Sequence, residues 1–487
     1  MQNKEIFYEA FLFKWQTREE LYRKNALVLT KPKSIQRKHI KENKTIQNDE
    51  IPVEKSGSLC YNRKKVLTIR GDFAMASKKR NIIVGQSGGP TSVINSSLAG
   101  VYKTAKERGF HKVYGMLHGI QGLLDEQYVD LSTQIHSDMD IELLKRTPSA
   151  FLGSCRFKLP EIHTNPEVYE KIFMILDKLN IEVFIYIGGN DSMDTIKKLS
   201  DYAIVKGYNQ KFLGVPKTID NDLALTDHTP GFGSAAKYIG ASTKEIIRDA
   251  LGLTYNKNMI TIIEIMGRNA GWLTGATALA RTEECEGPDL IYLPEVPFDL
   301  DKCLKKVQDL LKKKSSIVIA VSEGIKLADG RYVCELSGGG EYVDAFGHKQ
   351  LQGTAAYLAS FMGAEIGCKT RSVEFSTLQR SASHMASRVD VNEAFMVGGA
   401  AVKAADEGDT GKMVVIDRIA DDPYMSAAGI YDVHRIANNE KLVPRSWINK
   451  EGNYVTEEFI NYIEPLIQGD YQPFMVNGLP QHLVLKR

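Results

Sequence analysis

Short apolar runs and amphipathic stretches alternate along most of the chain. The runs at 81–85, 183–187 and 211–215 are rich in Ile, Val, Phe and Tyr, and the first two are each followed by a segment with helical spacing of apolar residues. The runs at 260–265 and 316–321 repeat this order further along. Alternating strands and helices are typical of parallel sheets covered by helices on both faces. The pattern therefore predicts an α/β fold with a second α/β unit.

The first 74 residues show neither the apolar runs typical of buried strands nor the spacing of apolar residues typical of helices. The stretch 31–50 is almost wholly polar, and such a segment cannot bury enough apolar surface to offset the entropy lost on ordering. We expect residues 1–74 to be a disordered N-terminal extension, with Met75 as a candidate initiator because basic residues and the first strand follow it directly. A basic arm that binds a partner is the alternative.

Removal of residues 1–74, so that the chain begins at Met75, is expected to leave the catalytic activity and the melting temperature nearly unchanged. The reason is that this segment lacks an apolar face with which to dock on the core. Activity assays and thermal unfolding of the truncated and full-length chains check this expectation. A truncated chain that fails to fold would contradict it.

Charge and cysteine usage narrow the class of protein. The 487 residues include 62 Lys or Arg and 60 Asp or Glu, so the net charge is only +2, and no strong field gathers nucleic acid or a membrane surface. The 6 cysteines form no CxxC pair, which disfavours a disulfide framework and a zinc site. No run of 18 apolar residues occurs. We expect a cytoplasmic protein of two or three domains.

Glycine-rich or polar loops follow three of the predicted strands, at 85–92, 188–192 and 214–222. The carboxyl ends of parallel strands gather at one edge of a sheet, where glycine and helix N-termini let backbone N–H groups approach an anion. The first loop matches neither common nucleotide-binding glycine motif. By itself it is equally consistent with an ordinary strand-to-helix turn, whereas the loops together favour a phosphate site.

The third loop is the densest in chemistry. Lys217, Thr218, Asp220 and Asp222 lie within six residues. Phosphoryl transfer to an alcohol needs a carboxylate to accept the hydroxyl proton and cations to hold the transferred group. Asp220 and Lys217 could supply these, and a capping carboxylate with a surface lysine is the alternative.

With further motifs, these loops resemble the phosphofructokinase family. The motifs are GGP at 88–90, GGNDS at 188–192, PKTIDND at 216–222, MGRNAGW at 266–272, SEG at 322–324 and LQR at 378–380. The resemblance implies two Rossmann-like three-layer α/β/α domains with the active site in the cleft between them. It also implies Mg²⁺-dependent phosphoryl transfer to O1 of fructose 6-phosphate, and a homo-oligomer, either a dimer or a tetramer.

The resemblance also implies a division of the chain. Residues 75–231 with about 379–430 would form the donor-binding domain, and residues 232–378 the domain that binds fructose 6-phosphate. Residues 431–487 would pack on both.

Site residues follow from the resemblance one by one. Asp220 matches the general base, Arg156 and Gly89 match groups that hold the donor phosphates, and Asn190 stands at a metal-linked position. The residues that match positions for the sugar phosphate or the transition state are Thr218, Ile219, Asp220, Met266, Gly267, Arg268, Glu323, Arg371, Thr377, Leu378, Gln379 and Arg380.

Asp191 and Lys217 bear on the phosphoryl donor. Family members that use ATP commonly have glycine at the position of Asp191, and pyrophosphate users resemble this chain at both positions. A carboxylate at 191 would repel the α-phosphate of ATP, and an ammonium at 217 would stabilise charge on the leaving phosphate. Lys217 alone decides nothing, because some ATP users share it. We therefore predict pyrophosphate as the donor, with ATP as the alternative.

Three departures from the family pattern modify this interpretation. Asn190 replaces an aspartate and removes one negative charge near Mg²⁺, and Met259 replaces an arginine that bacterial ATP users supply across a subunit interface. Ala99 stands where allosteric members place an effector-binding arginine, so we expect a non-allosteric protein. A non-catalytic sugar-phosphate sensor and a nucleotide-binding regulatory subunit are the alternatives from other classes, and the presence of Asp220 disfavours the sensor.

Overall fold

Two large β-sheets with helices on their faces, and one small two-stranded sheet, occur in the described part of the chain. The computed structural model describes residues 80–337 and 351–486. The predictions of a disordered segment at 1–74 and of Met75 as initiator lie outside these residues. Both large sheets belong to one compact unit, Ala74–Arg487.

The strands and helices follow the alternation that the apolar pattern predicts. The strands are β1 (Asn81–Gln86), β2 (Lys112–Met116), β3 (Tyr128–Asp130), β4 (Ile181–Gly188), β5 (Lys211–Pro216), β6 (Met259–Ile265), β7 (Leu290–Tyr292), β8 (Ser316–Ser322), β9 (Lys369–Glu374), β10 (Lys412–Asp421), β11 (Tyr424–Asp432), β12 (Met475–Val476) and β13 (Leu479–Pro480). The α-helices are α1 (Ile94–Glu107), α2 (Gly119–Leu124), α3 (Asp138–Arg146), α4 (Pro166–Lys178), α5 (Asn190–Lys206), α6 (Phe232–Gly252), α7 (Trp272–Gly275), α8 (Leu300–Leu311), α9 (Thr354–Ile366), α10 (Leu378–Ser381), α11 (Arg388–Asp406) and α12 (Glu457–Ile463).

The first sheet has seven strands in the order β11-β10-β5-β4-β1-β2-β3. Its five inner strands are parallel, and the edge strands β3 and β11 are antiparallel to their neighbours. Successive side chains of a strand point to opposite faces. Accordingly, Ile82 and Val84 of β1 pack in a core with residues of α1 and α11, whereas Ile83 packs with residues of α4. Helices on both faces make this a three-layer unit.

The second sheet has four parallel strands in the order β7-β8-β6-β9. All residues of β6 and β8 are buried, as expected for strands covered on both faces. Ile263 belongs to a core shared with α6, and Ile262 to one shared with α8 and α9. The prediction of an α/β fold with parallel sheets is confirmed. The predicted domain boundaries stay a prediction.

Loops from both sheets line one cleft. The loops after β1, β4 and β5 and the loops after β6, β8 and β9 all contribute residues to its lining. Ligands of open α/β sheets bind beyond the carboxyl ends of the strands. No helix within residues 80–337 or 351–486 combines the length and apolar character needed to span a bilayer.

Candidate active site

A cleft of about 1110 Å³ lies between loops of the two sheets. The residues at its wall that the sequence predicted are Gly89, Arg156, Asn190, Asp191, Lys217, Thr218, Ile219, Asp220, Met266, Gly267, Arg268, Glu323, Thr377, Gln379 and Arg380. The structure leaves Arg371 and Leu378 outside this lining. The Arg371 guanidinium pairs with Asp249 at 3.1 Å, and the Leu378 side chain is 54% exposed.

The turn after β1 brings two cations to one stretch of backbone. Lys217 donates from Nζ to the carbonyl of Gly89 at 2.6 Å. A Cβ at Gly88, where φ is +75°, would lie 3.3 Å from Lys217 Nζ, and one at Gly89 would lie 3.4 Å from a guanidinium nitrogen of Arg380. Glycine is therefore needed at 88 both for the positive φ and for the close approach of the lysine. The turn, the ammonium and the guanidinium together form a site suited to an anion.

The loop after β5 carries two carboxylates into the cleft. Thr218 caps this loop, because its Oγ1 accepts a hydrogen bond from the backbone N–H of Asp220 at 3.0 Å. Asp220 and Asp222 both line the cleft. Asn221, between them, is fully buried and has a φ of +54°, a conformation that asparagine tolerates better than most residues. The left-handed turn at Asn221 thus lets its two neighbours face the cleft.

Burial changes the proton affinities of this cluster. Burial raises the pKa of Asp220, although the nearby Lys217 ammonium opposes the rise. Burial and the neighbouring Asp220 carboxylate raise the pKa of Asp222 to about 7. Burial lowers the pKa of Lys217 to about 8, against the pull of both carboxylates. A carboxylate with a raised pKa is a stronger base, which suits proton acceptance near neutral pH.

The opposite wall, from the second sheet, offers groups for a sugar phosphate. The backbone N–H of Gly267 donates to Glu323 Oε1 at 3.4 Å, and the N–H of Met266 donates to Gln379 Oε1 at 3.1 Å. Burial raises the pKa of Glu323 to about 7. The buried Nε of Arg268 has no hydrogen-bond partner among the described residues, so this cation is available to an anionic ligand.

The N-terminus of α5 holds Asn190 and Asp191 at the cleft. The amide oxygen of Asn190 accepts a hydrogen bond from the backbone N–H of Asn438 at 2.7 Å, and its amide nitrogen donates to the carbonyl of Asn439 at 3.0 Å. Asp191 lies in the first helical turn, where the helix dipole favours negative charge. A carboxylate in this turn competes with a phosphate for the favourable end of the helix dipole.

The cleft offers oxygen ligands for a divalent cation. No cluster of three or more His, Cys, Asp or Glu side chains within the described ranges could hold a metal ion, but Mg²⁺ needs only one or two carboxylates when substrate phosphates supply further oxygens. Oδ1 of Asp222 is buried without a hydrogen-bond partner in the described part of the chain, and Asp220 lines the same cleft. Asp222 fits the ion, and the amide oxygen of Asn190, which accepts one hydrogen bond, keeps a second lone pair for it, so the metal-linked position of Asn190 stays a prediction.

Sequence reasoning missed several lining residues. Lys158 lies two residues after Arg156, so its closeness in sequence to a predicted donor-binding cation was a usable signal. Asn438 and Glu440 come from a segment more than 200 positions after α5 begins, and no motif marks them. Their place at the cleft depends on how the C-terminal segment packs.

Comparisons with known proteins place the chain among close relatives. The Phosphofructokinase family model matches residues 81–405. Two curated proteins named pyrophosphate–fructose 6-phosphate 1-phosphotransferase are each 40% identical to it. The one from Halomonas elongata aligns over 83% of this chain and 95% of its own length, and the one from Xanthomonas campestris over 83% and 96%. The crystal structure of a pyrophosphate-dependent phosphofructokinase from Nitrosospira multiformis superposes with a TM-score of 0.76 at 37% identity, covering 83% of this chain and 96% of that one.

Proposed function

The chain belongs to the phosphofructokinase family, and from this premise we propose that it transfers a phosphoryl group from pyrophosphate to O1 of fructose 6-phosphate. The products are fructose 1,6-bisphosphate and orthophosphate, and the reaction is reversible. The observation that carries the choice of donor is Asp191, whose carboxylate lies at the cleft in the first turn of α5. The relatives from Halomonas elongata and Xanthomonas campestris are named for the same donor.

We assign each group of the cleft a step in the reaction. Asp220 accepts the proton of the O1 hydroxyl, and O1 forms a bond to the terminal phosphorus of pyrophosphate as the bridging P–O bond breaks. The bridging oxygen leaves with orthophosphate, and Lys217 and Arg380, which meet at the Gly88–Gly89 turn, stabilise the charge that develops there. Arg156 holds the donor from its side of the cleft.

The sugar is oriented from the opposite wall. Glu323 accepts hydrogen bonds from sugar hydroxyls, and Arg268 binds the anionic part of the substrate with the guanidinium that no described residue fully satisfies. Holding both reactants in line is the main contribution a protein makes to phosphoryl transfer.

Mg²⁺ is the proposed cofactor. Asp222 would hold it together with oxygens of the donor phosphates, supported by the unpartnered Oδ1 of Asp222. When bound, the ion neutralises phosphate charge. Isothermal titration of the wild-type chain and of Asp222→Asn with MgCl₂ and pyrophosphate tests this assignment.

We propose a cytoplasmic setting for the enzyme. Cys155, Cys285 and Cys303 are buried free thiols, and Cys368 is a half-buried one, which suits the reducing cytoplasm. We also propose a homo-oligomer, as the family resemblance implies, and the absence of allosteric control, because Ala99 stands where allosteric members place an effector-binding arginine. Sedimentation, and assays with nucleotides and phosphoenolpyruvate, test them.

A single assay tests the proposed function. The purified full-length chain is given fructose 6-phosphate and Mg²⁺ with either pyrophosphate or ATP, and fructose 1,6-bisphosphate is measured. Activity is expected with pyrophosphate and to be at least about a hundredfold lower with ATP. A preference for ATP would replace the donor assignment, and inactivity with both donors would contradict the proposed function.

The fall in kcat/KM for pyrophosphate at alkaline pH is expected to reflect loss of the proton from the Lys217 ammonium. Its pKa of about 8 means that the ammonium loses its proton as the pH rises through 8, and kcat/KM for pyrophosphate then falls because the leaving phosphate loses a stabilising charge. In Lys217→Met the activity is lower and this alkaline fall is absent. Profiles of kcat/KM between pH 6 and 10 for both proteins make the comparison, and an unchanged alkaline fall in the variant would assign it to another group.

A further inference from the structure

The C-terminal segment, residues 431–487, contacts the end of the catalytic loop, residues 216–222. The backbone N–H of Lys441 donates to the carbonyl of Asp222 at 2.8 Å, and Glu440 forms an antiparallel bridge with Leu223. The indole N–H of Trp272 donates to the carbonyl of Lys441 at 2.9 Å. Lys441 lies beyond the family match, which ends at residue 405, and the loop is therefore supported by a part of the chain that the family motifs do not cover.

The Lys441 side chain is half-buried, and its ammonium is fully hydrogen-bonded. Its Nζ donates to Asn221 Oδ1 at 3.2 Å, to the carbonyl of Thr226 at 3.2 Å and to the carbonyl of Asp227 at 2.7 Å. An ammonium has three protons, so these acceptors use all of them. The same nitrogen lies 5.2 Å from the centre of the Trp272 ring, a cation–π contact. Lys441 does not line the cleft.

Asn221 is held on two sides by residues of the C-terminal segment. Its amide nitrogen donates to Tyr462 Oη at 2.9 Å, and its amide oxygen accepts from Lys441 Nζ and from the backbone N–H of Thr229 at 3.2 Å. A rotation about the backbone of Asn221, where φ is positive, would swing the neighbouring Asp220 relative to the cleft. The bonds to its side chain oppose that rotation.

We propose that Lys441 is a positioning residue for phosphoryl transfer, which fixes Asn221 and thereby the orientation of the Asp220 carboxylate toward the sugar hydroxyl. This inference rests on the proposed function, in which Asp220 is the base. A small misplacement of a reacting group lowers the rate of the chemical step far more than it lowers binding.

The first test is Lys441→Met, which keeps the length and apolar stem of the side chain but removes the ammonium. We expect kcat to fall about 10- to 100-fold and KM for fructose 6-phosphate to change less than about threefold. The matched control is Lys237→Met. Lys237 also binds the C-terminal segment, at the carbonyl of Gly469 and at Asp470, but at a place away from the catalytic loop, so kcat should stay within about twofold of wild type. A folded Lys441→Met protein with wild-type kcat would overturn the proposal.

The second test asks whether Lys441 acts through Asn221. Asn221→Gly retains a residue that tolerates positive φ and removes the bonded side chain, so it should reproduce the loss of kcat with Lys441 intact. In that background Lys441→Met should lower kcat by less than about threefold more, because the coupling is already lost. Full additivity of the two losses would overturn the proposal. If Lys441→Met does not fold, Asn221→Gly and the milder Lys441→Gln still decide it, since wild-type kcat in both would contradict it.

The outcome is separable from that of the proposed function. All variants are compared with the wild type under whichever donor the wild type uses, so a wrong donor assignment leaves the comparison intact. A wild-type chain that is inactive with both donors contradicts the proposed function, whereas an active wild type with unaffected variants contradicts only the role of Lys441.

Discussion

Replacing Asp220 with asparagine is expected to lower kcat by roughly 10²- to 10⁴-fold, while the affinity for fructose 6-phosphate changes little. The substitution keeps the shape of the side chain but removes its ability to accept a proton. The structure strengthens this expectation, because burial raises the pKa of Asp220 and so makes its carboxylate a better base. Steady-state kinetics for turnover and calorimetric titration with fructose 6-phosphate measure the two quantities separately.

The control for this substitution is Asp222→Asn. Asp222 lines the same cleft with a pKa raised to about 7, so it is the residue most able to replace Asp220 as the base. If Asp220→Asn retains near-normal turnover and Asp222→Asn does not, the base is Asp222. Circular dichroism of both variants establishes that the loop change has not unfolded the protein.

Exchange of Asp191 for glycine is expected to create measurable ATP-dependent activity while part of the pyrophosphate activity remains. The carboxylate lies at the N-terminus of α5 and at the cleft. Like charges about 4 Å apart repel by roughly 4 kcal/mol at an effective dielectric constant of 20, which corresponds to about a thousandfold in affinity. Without the Asp191 carboxylate, the backbone N–H groups at the N-terminus of the helix can donate hydrogen bonds to the α-phosphate of a nucleotide.

Lys217→Gly is the matching test at the same site, because it should weaken the use of pyrophosphate rather than permit the use of ATP. It removes the ammonium that contacts the Gly88–Gly89 turn, so pyrophosphate turnover should fall without any gain of ATP use. The two changes need not add, since both side chains lie near one phosphate. If Asp191→Gly gains no activity at millimolar ATP, Asp191 is not the group that excludes nucleotides.

The strand-end loops could be predicted because their signal is local. Parallel strands bring their carboxyl ends to one edge, so the loops after β1, β4 and β5 had to lie close together once the α/β alternation was recognised. Gly89, Asp191 and Asp220 follow from this reasoning with the family motifs, and all three line the cleft. Apolar periodicity likewise predicted strands buried on both faces, as in β6 and β8.

Long-range packing explains which contacts of the predicted residues the sequence did not reveal. Arg371 pairs with Asp249 at 3.1 Å, and nothing in the local sequence around Arg371 reveals that partner. In the same way, Asn190 bonds to Asn438 and Asn439, residues that no motif connects with it. Such contacts depend on how distant segments fold back.

The sequence alone established which chemical groups the cleft holds, since residue types and their order along each strand end are short-range features. Their proton affinities and orientation come from the assembled fold, because burial raises the pKa of Asp220 and lowers that of Lys217 only when both sheets enclose them. Lys441 shows the same division: its ammonium reaches Asn221 from 220 positions away, and a contact of that range is set by packing rather than by any pattern in the chain.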